Sequence, residues 1–308
     1  MKILKIIFPW LVAFIFIWLF LRRYGRQDLI EIWLGLIDLP LSLLFLSALI
    51  GLLSHVIRAI RWSMFLVPLA INSSFILKLT AVMYGYLVNL SFPRAGEIAR
   101  SNYYSKASKS PFQTVLGSIV AERFVDALFL LLILLTSILV QSTLIDLPYL
   151  KSALILSTII LLVVGLLVVL NSEKYLIFKK LKVNKIIEGI SSIKYLPNFP
   201  KFIGFSIAIW FCYFLLFAIM FVQVEISLSH LFIAFSIGTV AISASNGGLG
   251  IYPFLITTYL ESMGYVSTMM ASIAWGVWIV QTLMVIGTAL FLLTISSRWI
   301  TKLRINNN

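Results

Sequence analysis

The chain has 308 residues, of which 61% are hydrophobic and 11% charged, and its mean hydropathy is +1.06. Soluble globular chains carry about 25% charged residues, so this composition predicts an all-α polytopic membrane protein and argues against a sizeable soluble catalytic domain. The formal net charge of +13 comes without a basic patch interleaved with aromatic residues. We therefore expect no nucleic-acid partner and assign the positive charge to cytoplasmic loops.

Six segments are apolar over about the length that a helix needs to cross a bilayer core about 30 Å thick. They are residues 6–21, 40–60, 112–140, 150–170, 202–222 and 266–296. The first segment resembles a signal peptide, but no small-residue cleavage site follows it. We therefore expect it to remain as an uncleaved first helix.

Two further apolar segments are interrupted by polar residues, glycine or proline. Residues 75–104 are interrupted at 93–96, and residues 231–262 are interrupted at 245–250. The pieces 231–244 and 251–262 would span only about 21 Å and about 18 Å as helices, so neither crosses alone. Both segments are predicted to be re-entrant hairpins, although the piece before the first interruption is about 27 Å long and nearly long enough to cross.

The distribution of lysine and arginine predicts the orientation. With the N-terminus in the cytoplasm and both hairpins re-entrant, most basic residues fall toward the cytoplasm, including Arg58, Arg61 and those of loop 172–201. We expect a protein of the cell (inner) membrane with both termini cytoplasmic. Within a single transmembrane domain, 1–308, the order helix, helix, hairpin, helix then occurs in 1–141 and again, inverted, in 150–297. Secondary transporters are built from such inverted repeats.

The first interruption places Arg94, Glu97 and Arg100 in an otherwise apolar run. Pro93 removes a backbone donor and Gly96 loosens the chain, so one helix should end here and another begin near Glu97. Ionisable residues at membrane depth mark a functional site by default. One interpretation is a clamp in which Arg94 binds a phosphate or lipid head group and Glu97 tunes it. The other is a cytoplasmic loop cap with an ordinary ion pair.

A second polar cluster, Glu122, Arg123 and Asp126, lies inside a long apolar segment. Glu122 is about ten residues, roughly 15 Å, from the start of that segment, and it shares a helix face with Asp126. Two acids beside one base leave a carboxylate that needs a partner from elsewhere, for which Arg94 or Arg100 is expected. Substrate contact, a structural lock between hairpin and helix, and a proton relay are all consistent with this pattern.

The second interruption contains a glycine-rich turn made of Asn246, Gly247, Gly248 and Gly250. Glycines permit positive φ and close backbone approach, and the helix that follows the turn would offer free N–H groups that attract anions. The turn is therefore a candidate anion-binding element in the same cavity as the charged residues. The alternative is a tight turn that binds no ligand.

These motifs resemble a known family, the lysylphosphatidylglycerol synthase transmembrane family of flippase-like proteins. The resemblance rests on residues 93–97 with Arg100, on 115–123 with Asp126, and on 247–250. It covers most of the chain and implies a helical bundle with re-entrant hairpins that binds or moves anionic or modified lipids. Synthase activity is not implied, because the sequence contains no soluble synthase domain.

The motif match carries specific positions over from the family, namely Arg94, Glu97, Arg100, Glu122, Arg123 and Asp126. The sequence departs from the family pattern in the second hairpin. Asn246 stands where proline is common, and Pro253 stands where glutamate is usual. The second departure changes the charge arrangement of that hairpin and with it the expected substrate.

The function expected from the sequence is that of a lipid or lipid-linked head-group flippase with a midplane cavity. Arg94 and Arg123 would bind the phosphate, and Glu97, Glu122 and Asp126 would hold those arginines. The expected partner is a membrane lipid, either an anionic phospholipid or a lipid-linked sugar, and no catalytic set, cofactor or metal is expected. The alternatives are a membrane-embedded enzyme or accessory subunit acting on polyprenyl-linked sugars, and a scaffold for a separate synthase or glycosyltransferase.

Overall fold

A computed structural model describes residues 2–92, 95–140, 152, 155–160, 163, 184–245 and 247–305. All regular elements in these ranges are helical, which confirms the all-α fold class. An apolar chain in a bilayer must satisfy its own backbone polar groups, and a helix does so within one segment.

Eleven helices of at least eight residues lie in the described ranges. They are α1 (Lys2–Arg23), α2 (Arg26–Ile37), α3 (Leu41–Leu66), α4 (Phe75–Ser91), α5 (Gly96–Ser108), α6 (Phe112–Val140), α7 (Asn184–Ser191), α8 (Phe199–Ala218), α9 (Leu228–Ala244), α10 (Ile251–Ser262) and α11 (Ser267–Ile305). Short 3₁₀ turns follow α3 at Val67–Leu69, α7 at Ser192–Tyr195 and α8 at Ile219–Phe221.

Four helical stretches in the described part of the chain are long and apolar enough to cross a membrane. They are Leu41–Leu69, Phe112–Val140, Phe199–Phe221 and Ser267–Ser296. They correspond to four of the six segments predicted to span. Predicted segment 6–21 lies within α1, a helix of 22 residues, and its crossing stays a prediction. Predicted segment 150–170 lies mostly outside the described residues. Its residues 155–160 are described, and they are helical.

The first broken segment forms two helices, α4 and α5, that lie side by side. A Cβ built on Gly85 of α4 would lie 3.1 Å from the Cβ of Arg100 and 3.1 Å from the carbonyl oxygen of Gly96, both in α5. Only a glycine permits this approach without displacing its neighbours. The predicted break is confirmed, and re-entry into the membrane stays a prediction.

The second broken segment forms the pair α9 and α10, and the far ends of these helices are held together. The hydroxyl of Tyr265, just beyond α10, accepts a hydrogen bond from the backbone N–H of Ser227 at 3.2 Å. The same hydroxyl lies 2.9 Å from Nδ1 of His230 in α9. The two helices therefore form an antiparallel hairpin whose open end is closed by one tyrosine.

The predicted basic loop 172–201 contains a helix that the sequence analysis missed. This helix, α7, packs on α6 through two facing glycines. A Cβ on Gly117 would lie 2.2 Å from the carbonyl oxygen of Ile186, and a Cβ on Gly189 would lie 2.2 Å from that of Thr114. Small residues allow two helix backbones to approach this closely. The helix α2 was also not predicted.

The chain divides into two compact units, each assembled from segments that are distant in sequence. The hairpin unit comprises Met1–Leu53, Val88–Pro93 and Phe211–Ile286, and it contains the α9–α10 hairpin. The charged unit comprises Ser54–Leu87, Arg94–Trp210 and Gly287–Asn308. The inverted repeat of 1–141 and 150–297 stays a prediction.

The charged unit has an aromatic core. Trp62, Phe65, Tyr104 and Phe202 come from α3, α5 and α8, and all are fully or almost fully buried. Trp62 donates its indole N–H to the hydroxyl of Ser118 in α6 at 3.2 Å. This core fixes α3, α5, α6 and α8 around the ionisable residues.

Candidate functional site

Two arginines of α3 face two carboxylates of α6 inside the charged unit. Arg58 and Arg61 are one turn apart in α3, and Glu122 and Asp126 are one turn apart in α6. Three of the four are at most 2% exposed, and Asp126 is 8% exposed. Removing such charges from water is costly unless each is paired, so their contacts decide whether the arrangement is stable.

Each α3 arginine contacts both carboxylates. Nη1 of Arg58 lies 2.8 Å from Oε1 of Glu122 and 2.5 Å from Oδ2 of Asp126. Nη2 of Arg61 lies 2.6 Å from Oδ1 of Asp126 and 3.4 Å from Oε1 of Glu122. Arg61 also donates to the hydroxyl of Ser206 in α8 at 3.1 Å. These charge-assisted contacts connect the three helices α3, α6 and α8 through five side chains.

Arg100 of α5 approaches one of these carboxylates, Glu122, at its second oxygen. Its Nη2 lies 2.8 Å from Oε2 of Glu122, and its guanidinium lies 4.0 Å from the ring centre of Trp62. Arg100 is thus the outside partner that the sequence analysis expected for one of the two acids. The contact with Glu122 is short but not aligned as a hydrogen bond, and Nε and Nη1 of Arg100 also lack hydrogen-bond partners in the described part of the chain. Arg100 is therefore buried with N–H groups that no described residue accepts a hydrogen bond from.

Arg123 and Glu97 form the more accessible edge of this arrangement. Their side chains are 34% and 24% exposed, and Nε of Arg123 lies 3.3 Å from Oε1 of Glu97. Nη1 of Arg123 lies 3.5 Å from Oδ2 of Asp126. The guanidinium also lies 5.7 Å from the ring centre of Tyr86 in α4. Both ion-pair contacts of Arg123 are longer than the best contacts of Arg58, Arg61 and Arg100.

These seven residues, here named the arginine cluster, carry an excess of positive charge. Four arginines (Arg58, Arg61, Arg100 and Arg123) face three carboxylates (Glu97, Glu122 and Asp126). In surroundings of low polarity, a net positive charge attracts an anion strongly. The arrangement is therefore suited to binding one negatively charged group at its accessible edge.

The structure brings together five of the ten predicted site residues, namely Glu97, Arg100, Glu122, Arg123 and Asp126. Arg94 and Asn246 lie outside the described residues. The glycines Gly247, Gly248 and Gly250 lie in the hairpin unit. A cavity shared by the turn and the charged residues stays a prediction.

The glycine turn has a structural explanation within the hairpin unit. Gly247, Gly248 and Gly250 have φ values of 59°, 85° and 74°, which residues with a Cβ rarely adopt. A Cβ on Gly250 would lie 2.9 Å from the carbonyl oxygen of Ala13 in α1. Trp278 donates its indole N–H to the carbonyl oxygen of Gly247 at 2.8 Å. Backbone conformation and packing thus account for these glycines without a ligand.

The sequence analysis missed the roles of Arg58 and Arg61, which it counted only among charges near the cytoplasm. The predicted segment ended at residue 60, whereas α3 continues to Leu66 and holds both arginines within the helix. Two arginines one turn apart on a long apolar helix are the same signal that identified Glu122 and Asp126. Among the described residues, no group of three or more His, Cys, Asp or Glu side chains could hold a metal ion.

Four helices of spanning length and a buried ionic cluster define a multi-pass membrane protein. The family model of the lysylphosphatidylglycerol synthase TM region matches residues 6–291, so the chain belongs to this family of membrane proteins related to lipid handling. The resemblance noted in the sequence is thereby confirmed. No curated protein and no solved structure shows a significant match to the chain.

Proposed function

We propose that this protein binds an anionic or phosphate-bearing lipid through the arginine cluster and moves the lipid, or its head group, across the membrane. The observation that carries the proposal is the excess positive charge of the cluster, which reaches an accessible edge at Arg123. Membership of a family related to lipid handling supports a lipid as the source of the anion.

The contacts divide the arginines into two groups with different roles in this proposal. Arg58 and Arg61 make the shortest contacts with Asp126, so they hold the site together. The ion pairs that Arg123 makes with described residues are 3.3 and 3.5 Å long, and Arg100 has donors without a hydrogen-bond partner among those residues. The phosphate would therefore bind to Arg123 first and draw on Arg100, while the pairs made by Arg58 and Arg61 stay intact.

This assignment revises the roles expected from the sequence. Arg123 keeps its phosphate-binding role, and Glu97 keeps the role of holding it. Glu122 and Asp126 hold mainly the α3 arginines, so the structural lock and the head-group site occupy the same cluster. Arg94 remains a candidate ligand by its place in the family motif.

Transport would follow the mechanism of inverted-repeat carriers, in which two halves rock about a midplane site. The proposal includes no catalytic step, no cofactor and no metal. We place the protein in the cell (inner) membrane with both termini cytoplasmic, because lysine and arginine are concentrated on that side of the predicted topology. A separate synthase or glycosyltransferase would supply the lipid.

The test is lipid movement by the purified protein in vesicles. Vesicles of phosphatidylcholine with fluorescent phosphatidylglycerol in both leaflets would be exposed to an impermeant quencher. We expect the wild type to expose inner-leaflet phosphatidylglycerol to the quencher and Arg123→Ala to abolish this exposure. The matched control is Arg26→Ala, which removes an exposed arginine at the start of α2.

Full movement of phosphatidylglycerol by a folded Arg123→Ala variant would overturn the proposed role of the cluster. Sugar release from a polyprenyl-linked donor by protein in detergent would favour the enzyme alternative, because transport needs two compartments and detergent removes them. If the protein is a scaffold, neither the wild type nor Arg123→Ala would move lipid.

A further inference from the structure

We infer that α2 is an interfacial anchor, a helix that lies along the boundary between membrane and water with one face on the protein, one in lipid and one in water. The helix belongs to the hairpin unit, and the inference is independent of the arginine cluster. It is carried by the way in which the 12 residues of α2 distribute apolar and polar side chains around the helix.

The first face of α2 packs on the rest of the hairpin unit. Ile32 is buried in a small core that it shares with side chains of α1 and α11. The hydroxyl of Ser272 in α11 donates a hydrogen bond to the carbonyl oxygen of Ile32 at 2.9 Å. Gly35, one turn further along, approaches the same hydroxyl so closely that a Cβ there would lie 2.7 Å from its oxygen. The helix is therefore attached to α11 along this face.

The second face of α2 is apolar and exposed. Its side chains recur at intervals of three and four residues, which places them on one side of a helix. They are Ile30, Trp33, Leu34 and Ile37, which are between 43% and 61% exposed. Four large apolar side chains on one side of a 12-residue helix form a surface that needs a partner.

The partner of this face follows from its continuity with α3, the next helix in the chain. After Ile37, the exposed apolar residues continue at Leu41, Phe45 and Leu49 of α3. Because α3 is long and apolar enough to cross a membrane, its exposed apolar side chains face lipid. Tryptophan is enriched where lipid chains meet head groups, which fits the exposed Trp33. The lipid surface that covers α3 is therefore the partner of the apolar face of α2.

The third face of α2 is polar and fixes its orientation. Gln27, Glu31 and Asp38 are exposed and lie four and seven residues apart, on one side of the helix. Carboxylates are costly in hydrocarbon, so this face lies in water or among head groups. A helix of this length spans only about 18 Å, too short to cross a hydrocarbon core about 30 Å thick. With a polar strip and an apolar strip along its whole length, α2 lies along the boundary and holds the hairpin unit at a fixed depth.

The test places a reporter cysteine on each face of the full chain in lipid vesicles. The single native cysteine, Cys212, is buried, so the unsubstituted protein gives the background. Leu34→Cys samples the apolar face, Glu31→Cys samples the polar face, and Phe45→Cys is the lipid-facing control in α3. A charged thiosulfonate reagent attacks ionised thiols, which water stabilises and lipid does not. We expect Leu34→Cys to react about tenfold more slowly than Glu31→Cys and about as slowly as Phe45→Cys.

A second measurement identifies what covers the apolar face. The same cysteines would carry a small fluorophore, and its emission would be compared in vesicles with and without brominated acyl chains. We expect bromine near the head-group end of the chains to quench the label on Leu34→Cys roughly twofold, and bromine near the methyl end to quench it less. The label on Glu31→Cys should be quenched much less by either lipid.

Each contrary outcome overturns the inference in a different way. Equally fast reaction of Leu34→Cys and Glu31→Cys would place the whole of α2 in water. Slow reaction of both, with strong quenching of both labels, would place α2 within the hydrocarbon. Slow reaction of Leu34→Cys without quenching by lipid would mean that protein, such as a second copy of the chain, covers the face. None of these outcomes bears on lipid movement through the arginine cluster, so the two proposals fail separately.

Discussion

The arginine cluster and the glycine turn both place polar groups inside an apolar protein. The two regions differ in how those polar groups are paired. The turn uses backbone conformation, close packing and one donor from Trp278, with no charge involved. The cluster uses seven charged side chains and retains an excess positive charge as well as unused donors. The comparison indicates that the turn is explained by folding alone, whereas the cluster exceeds what folding requires.

The largest effect should come from breaking the cluster at Asp126. Asp126→Ala removes the closest partner of both Arg58 and Arg61 and leaves buried positive charge uncompensated, which costs about 3–5 kcal/mol in comparable cases. We expect a large loss of thermal stability, measured by unfolding of the purified protein in detergent. The matched control is Glu31→Ala at an exposed position of α2. A normal melting temperature for Asp126→Ala would show that these pairs are not structural.

A smaller effect should follow when the packing of α7 on α6 is disturbed. Gly189→Ala would place a Cβ 2.2 Å from the carbonyl oxygen of Thr114, a backbone atom that cannot move aside. Overpacking of this kind costs about 1–3 kcal/mol. Gly204→Ala in α8 is the control, because nothing lies within 4 Å of its Cβ. Equal melting temperatures for the two variants would contradict the observed packing.

The smallest effect on lipid binding is expected at the turn itself, because its residues are not part of the arginine cluster. Gly250→Ala introduces a Cβ at a φ of 74° and 2.9 Å from the carbonyl oxygen of Ala13, so both strain and packing oppose it. Gly264→Ala has a φ of 90° but open space around its Cβ, which isolates the strain of about 1–2 kcal/mol. We expect Gly250→Ala to melt below Gly264→Ala and to retain binding of anionic lipid. Loss of that binding in a folded Gly250→Ala variant would give the turn a role in the site.

The sequence was sufficient for the features that depend on local pattern. Long apolar segments predicted four observed helices of spanning length, and proline and glycine predicted both breaks. The acid pair in α6 also predicted a partner outside its own helix, which Arg100 provides. These predictions succeeded because hydropathy and helix-breaking residues act over a few residues.

The features that escaped prediction depend on contacts between distant segments. Nothing local to Arg58 or Arg61 indicates that the carboxylates of α6 lie opposite them. The helix α7 is short and polar in part, and its place is set by the contact between Gly117 and Gly189 rather than by its own hydropathy. A single sequence contains no direct record of such pairings, so they required the structure.

The α9–α10 hairpin is fastened at both of its ends, at the tip by Trp278 and at the base by Tyr265. Tyr265 joins the base just ahead of α11, and Trp278 reaches the tip from within α11. Because hydrogen bonds hold the hairpin at two separated points, it cannot rotate about either of them alone. The α9–α10 hairpin and the part of α11 that lies in the hairpin unit should therefore move together as one rigid body, so a displacement at the base of the hairpin is transmitted to its tip.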